Sequence, residues 1–407
     1  MRWPDAISDE VQYVLLLFVL LVLPRVLQRF RLPSAITCVA IGAVAGMGLD
    51  IFRQDAAVNL LSILGIVSLF LFAGLEVDFR GLRRNAPILV QHLAVRVVLL
   101  LIVTLIVRSA FALALQPAVL IALALTTPST GFILDSLGSL GVSAHERAWV
   151  RSKAIASELV ALLVLFLVLQ PPEVGKVLVS VFTLGAMVAL LPLVFRLFAA
   201  AVLPYAPKAE FTFLLMLAVL CALVTRRMGA YYLIGAFVVG LTAQRFRERM
   251  PAIASEQMIH AVELFASFFV PFYFFHAGVR LRSQDFDLHA ALLGLGGVIV
   301  LVPLRVALVA LHRRLALGEP VLKGVRIGIA IIPTLVFTLV IAEILQERFG
   351  LSQTLFGALI VYTLLNTLIP GFILRVPPPA LEDLHAPQLR LPQTASAPDD
   401  SRVPPKI

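Results

Sequence analysis

Long apolar runs alternate along the chain with short polar connectors, most of them basic. The runs approach the ~20 residues that one helix needs to cross a bilayer, and they lack the period-two alternation of a membrane barrel. About thirteen segments fit, approximately 11–30, 34–51, 57–76, 87–108, 112–138, 148–170, 174–203, 209–227, 230–244, 261–281, 288–311, 321–347 and 351–375. The pattern predicts an all-α polytopic membrane protein.

Two spans carry a break signal. Span five, "LALTTPSTGFILDSLG", places Thr126, Thr127, Pro128, Ser129 and Thr130 near its middle, and span twelve places Pro333 and Thr334 similarly. Proline removes a backbone donor and clashes with the preceding turn, while neighbouring hydroxyls can satisfy the freed carbonyls. Both spans are expected to break, presenting half-helix ends of both signs at the membrane centre, with carbonyls able to coordinate a cation.

The same landmarks recur in order. Ala73-Gly74-Leu75 returns as Ala277-Gly278-Val279, Pro128 as Pro333 and Arg96 as Arg305, at offsets of 204, 205 and 209 residues, and Gly42 and Gly46 resemble Gly235 and Gly240. Spans 2–6 and 9–13 then form two five-helix copies. Because seven spans separate their starts, the second enters the membrane from the opposite side, so the repeat is inverted.

Composition agrees with this picture. Of 407 residues, 60% are hydrophobic and 14% charged, against roughly 25% charged in a soluble domain. The net charge of +9 comes mainly from Lys and Arg between spans, a pattern that encodes membrane orientation rather than nucleic-acid binding. An outside N-terminus and cytoplasmic C-terminus put more than twice as many basic residues on the cytoplasmic side as outside. Cys38 and Cys221 suggest packing rather than a disulfide or metal. The acidic start, with Asp5, Asp9 and Glu10, is unlike a cleaved signal. Residues 376–407, rich in Pro, Ala and polar side chains, read as a disordered cytoplasmic tail with no nucleotide-binding domain.

The candidate chemistry centres on "SKAIASELVALLVLFLVL", where Glu158 is the sole acid between Arg147 and Pro171. A charge within the membrane costs at least ~2.5 to 3.5 kcal/mol, so such a residue points to function by default. The bland alternative is an ion pair with Lys153 or Arg151. Arg305 in span eleven cannot be deprotonated and should bind a carboxylate or the carbonyl ends of broken helices, while Arg96, its repeat mate, reads as structural. Asp135 is placed on an access path. His92 and His276 read as packed polar residues, Glu343 as sitting near the end of span twelve, and Glu76 and Asp78 as a solvated interfacial pair with Arg80.

The motifs "FLFAGLEVD", "ALTTPSTGFILDSLG", "SKAIASELVALL", "YLIGAFVVG" and "VPFYFFHAGVRL" together resemble the monovalent cation/proton antiporters, the branch of bacterial potassium-efflux and thirteen-span sodium/proton antiporters, over residues 11–375. The resemblance implies a core of approximately spans 3–6 and 10–13 with crossing broken helices, span 7 as linker, and a dimer domain of spans 1, 2, 8 and 9 that builds a homodimer. It implies residence in a bacterial inner membrane. The family's acidic or Asn-Asp pair matches Ser157-Glu158 here, with glutamate for the usual aspartate, and its basic residue matches Arg305.

The expected function is exchange of Na+ or K+ for H+ by alternating access, without enzymatic chemistry or a cofactor. Glu158 would hold a proton or a dehydrated cation, helped by oxygens of Ser157, Thr126, Thr127, Ser129 and Thr130 and by broken-helix carbonyls. One carboxylate beside an arginine that does not titrate predicts one-for-one, electroneutral exchange. A cation channel, or a non-transporting membrane sensor of the same fold, is the alternative.

Overall fold

Apolar sequence between polar caps becomes helix throughout. The computed structural model describes residues 9–138, 140–170, 173–206, 209–228, 232–246 and 256–374, whose regular elements are all helical. They are α1 (Asp9–Leu27), α2 (Ser34–Ala43, continued by a π turn, Val44–Gly48), α3 (Ala56–Leu75), the short α4 (Phe79–Arg84), α5 (Ala86–Phe111), α6 (Leu115–Thr126), α7 (Thr130–Leu137) and α8 (Ala144–Val168). The chain continues with α9 (Val174–Ala201), α10 (Glu210–Arg227), α11 (Tyr232–Phe246), α12 (Glu256–Val279), α13 (Leu288–Leu317), α14 (Val321–Ala330), α15 (Leu335–Phe349) and α16 (Gln353–Ile373). The tail expected at 376–407 lies outside the described residues.

Local chemistry sets the ends. Asp55, Asp78, Asp287 and Ser352 each accept from a backbone N–H of the first turn of α3, α4, α13 and α16. Ser143 and Glu146 close a reciprocal capping box on α8. At the other end, Gly318 and Gly350 terminate α13 and α15 with left-handed φ of 63° and 59°.

Each of the predicted spans falls on one of these helices or on a broken pair. Among the described residues, eight helices are long and apolar enough to cross a membrane, or up to nine with α14 and α15 taken as one bent span. The others differ for physical reasons: α2 and α11 are short, α8 carries Arg151, Lys153 and Glu158, and α10 carries Glu210, Arg226 and Arg227. Outward faces are apolar, as on α9 with Leu178, Phe182 and Leu197 exposed.

The repeat is visible in packing. α2 lies on α12 where Gly42 and Gly278 let the backbones meet, Gly42 against Phe275 and Gly278 against Val39. α3 lies on α11 in the same way, Gly74 against Phe237 and Gly240 against Leu71. Exchanging spans 2 and 3 with 9 and 10 converts the first pair into the second, as an inverted repeat requires. Gly235, matched to Gly42 by sequence, departs from this: it packs on Cys221 of α10. Both cysteines are buried and unpaired.

Candidate functional site

The two proline-containing breaks meet. Helix α6 stops at Thr126, the chain runs extended through Thr127 and Ser129, and α7 begins at Thr130. Between α14 and α15 the chain opens over 331–334, and the two helices are bent by 48°. The Ser129 N–H donates to the Pro333 carbonyl at 2.8 Å, and Ser129 Oγ accepts from the Phe337 N–H at 3.1 Å, capping α15. Thr338 Oγ1 returns a bond to the Ala124 carbonyl at 2.8 Å. Each break thus supplies donors that the other lacks.

Guanidiniums occupy the carbonyl ends. Arg305 donates from Nη1 to the Leu125 carbonyl at 3.3 Å and from Nη2 to the Ile331 carbonyl at 3.4 Å, bridging α6 and α14. Tyr362 of α16 also donates to Leu125, at 2.7 Å, and accepts from Arg305 at 3.2 Å. Arg96 donates to the Thr126 carbonyl. Thr126 and Ile331 are repeat equivalents, so the two arginines perform one task in two copies: each places a fixed positive charge on the negative end of a half-helix. The carbonyls of 124, 125, 126 and 331, expected to help coordinate a cation, are therefore committed to protein donors.

Glu158 sits opposite the other kind of end. It is buried in α8, 1% exposed, and faces the start of α7, with the Thr130 N–H and hydroxyl directed at its carboxylate. Glu158 Oε2 and Thr130 Oγ1 do not close a hydrogen bond of normal geometry. The alternative ion pairs are taken elsewhere: Arg151 binds Glu76 at 3.2 Å, and Lys153 meets His312 at 3.3 Å. Among the described residues Glu158 has no cationic partner.

The remaining predicted oxygens divide. Ser157 Oγ donates to its own helix at the Lys153 carbonyl, 2.8 Å, and lies 3.5 Å from His92 Nε2. Thr126 Oγ1 donates back to the Ala122 carbonyl at 2.7 Å. Ser157, Thr126 and Thr127 still line one cavity of about 30 Å³ with Arg96. That is room for a water molecule. Thr334 belongs to a separate buried network: its N–H donates to Asn366 Oδ1 at 3.3 Å, and its hydroxyl contacts Thr363, Thr338 and Asn366. Asp135 falls on α7, with its side chain outside the described residues. Glu76, expected beside Arg80, pairs with Arg151 instead, and Asp78 caps α4. Glu343 pairs with Arg280, joined there by Glu347 at 2.7 Å.

Sequence reading missed Tyr362, Thr363, Asn366 and Thr338. A signal existed in span thirteen, where Tyr362, Thr363, Asn366 and Thr367 share one face of an apolar helix at helical spacing.

An inverted helical repeat with two interlocked broken helices, and a buried carboxylate at one of them with no cationic partner among the described residues, defines a multi-pass membrane protein with an ionisable site in its interior. The chain belongs to the sodium/hydrogen exchanger transmembrane family, whose model matches residues 14–377. It is 25% identical over 423 residues to the Na(+)/H(+) antiporter NhaS5 of Synechocystis sp., covering 97% of this chain and 57% of that protein's length. The sodium proton antiporter MjNhaP1 of Methanocaldococcus jannaschii, solved at pH 8, shares the fold with a TM-score of 0.65 at 12% identity, over 90% of this chain and 97% of the other. An electron-microscopy structure of the same antiporter gives 0.63 at 14% identity, over 90% and 95%.

Proposed function

We propose that the protein exchanges a monovalent cation, sodium in the first instance, for a proton by alternating access at Glu158. The observation that carries this reading is the buried Glu158 carboxylate of α8, which faces the start of α7 and has no cationic partner among the described residues, while the guanidiniums of Arg96 and Arg305 are spent on carbonyls. A lone buried carboxylate is costly unless something neutralises it. A proton and a dehydrated sodium ion each can, and they compete for the same oxygens. The antiporter names carried by the relatives favour sodium; potassium is the competitor to test.

In this reading Thr130 is the first partner of the carboxylate, and Thr127 and Ser157 flank it. Pro128, Ser129, Pro333 and Thr334 shape the crossing, and Arg305 with Arg96 holds the carbonyl ends. The mobile core would comprise α3, α5 to α8 and α12 to α16; α1, α2, α10 and α11 would form the dimer domain, and α9 the linker. The N-terminus would lie outside and the C-terminus in the cytoplasm of a bacterial inner membrane.

Reconstituted protein with a pH-sensitive dye tests this. Sodium added to acid-loaded proteoliposomes should alkalinise the lumen of wild-type vesicles, and Glu158→Gln should abolish the response while eluting in the same oligomeric state. Full exchange by the glutamine variant would move the proton site elsewhere.

A further inference from the structure

Asn366 of α16 stands 208 residues after Glu158 of α8, within the offsets of the inverted repeat, and each lies on the helix that follows a break. Both are buried, Asn366 at 0% and Glu158 at 1% exposed. Each also faces the start of a half-helix. The Thr130 N–H of α7 is directed at Glu158, and Asn366 Oδ1 accepts from the N–H of Thr334, the residue that opens α15, at 3.3 Å. The breaks therefore carry two copies of one arrangement, a polar side chain set against the positive end of a half-helix.

The copies differ in what they leave unmet. A backbone N–H can only donate, so Thr334 fixes the amide with its oxygen toward that N–H and its nitrogen toward Thr334 Oγ1, 3.0 Å away. The Thr363 hydroxyl lies 3.0 Å from the same oxygen, and Thr367 donates to Asn366 Oδ1 at 3.2 Å. At the corresponding positions α8 holds Ile155 and Leu159, whose side chains offer nothing polar. There, Glu158 Oε2 and Thr130 Oγ1 close no hydrogen bond of normal geometry. A carboxylate so placed calls for a proton or a cation, whereas a carboxamide is neutral and carries its own donor.

We propose that the second crossing is a closed copy of the ion site, in which the Asn366 amide takes the place of both carboxylate and bound ion, and that Asn366 thereby holds the exchanger to a single ion per cycle. The inference rests on the reading of Glu158 given above. An acid at position 366 would set a second carboxylate against the α15 end, beside the hydroxyl oxygens of Thr334, Thr363 and Thr367. A buried charge there would oppose movement of the core until a proton or sodium joined it. The amide removes that requirement. Asn366 is a positioning residue, keeping the second half-helix end filled while Glu158 changes partner.

Equilibrium binding of radiolabelled sodium at alkaline pH, to detergent-solubilised wild type, Glu158→Gln, Asn366→Asp, Asn366→Ser and the Glu158→Gln/Asn366→Asp double variant, provides the test. Asn366→Asp should bind about twice the sodium of wild type at saturation, and the double variant should regain the binding that Glu158→Gln loses. Asn366→Ser, which adds no charge, should bind as much as wild type. No sodium on the double variant, no gain in Asn366→Asp, or loss of binding in an Asn366→Ser variant that elutes as wild type would overturn the proposal. Binding retained by Glu158→Gln refutes the exchange site itself; binding absent from both Glu158→Gln and the double variant refutes the second copy alone.

Transport supplies a readout that lost packing would not move. In proteoliposomes at alkaline pH, where protons are scarce, the dependence of exchange on low sodium should steepen from first order in wild type toward second order in Asn366→Asp. A first-order dependence in both contradicts control of the ion count by this residue.

Discussion

Arg305 is 3% exposed and spans two carbonyl ends, so its removal orphans acceptors on both broken helices at once. Arg305→Met should lower the melting temperature in detergent, each buried polar group left unpaired costing about 1–3 kcal/mol. Tyr362→Phe should cost less, because Leu125 keeps its bond to the arginine. Differential scanning fluorimetry orders the two; a tyrosine variant as unstable as the arginine variant would contradict this division. The arginine's need for acceptors was legible in the sequence, since a guanidinium that cannot lose its proton must find them at depth, but the choice between a carboxylate and carbonyl ends needed the fold. The Tyr362–Thr363–Asn366 face was not read, because its meaning depends on how α16 is rotated toward the breaks. The pairing of Glu76 with Arg151 was hidden for a similar reason: proximity along the chain favoured Arg80, but folding brings α8 beside the end of α3.

At the scale of elements, the breaks support each other. Ser129→Ala deletes the cap on α15 and should cost about 1 kcal/mol, the usual value of a lost side-chain cap, while Pro333 keeps its bond to the backbone N–H of residue 129. Where backbones touch the tolerance is smaller: a Cβ at Gly278 meets the Val39 backbone and cannot be accommodated by a side-chain turn. Gly278→Leu should therefore separate α2 from α12 and lose at least the ~1–3 kcal/mol typical of overpacking, seen as a broadened, early-melting size-exclusion profile; a wild-type profile would contradict this. The spans and both breaks could be read from hydropathy and proline because those signals are local. The partner of Gly235 could not, since small residues mark a close approach without naming the helix that approaches.

At the scale of the whole molecule, Glu158 has no cationic partner among the described residues, while Arg96 and Arg305 are bound to half-helix carbonyls. If Glu158 exchanges one proton for one sodium ion, as proposed, its two loaded forms carry the same net charge, so moving either across the barrier does equal electrical work. Exchange in proteoliposomes clamped with potassium and valinomycin should keep its rate within about twofold as an imposed voltage changes sign, where one uncompensated charge would experience ~2.3 kcal/mol per 100 mV. A rate that follows the voltage would show that another charge moves with the cycle. The expectation of such a stoichiometry rests in the sequence on the count of acids in a span alone, whereas the commitment of both arginines to backbone carbonyls needed the fold.

The proposed exchange at Glu158 would also fix where such a machine comes to rest. With one site that either ion can fill, net flux stops when the sodium ratio across the membrane equals the proton ratio, about a tenfold sodium gradient for each pH unit, each worth 1.36 kcal/mol. On the proposed stoichiometry, this exchanger alone would build a sodium gradient only as steep as the pH gradient, whatever the membrane potential.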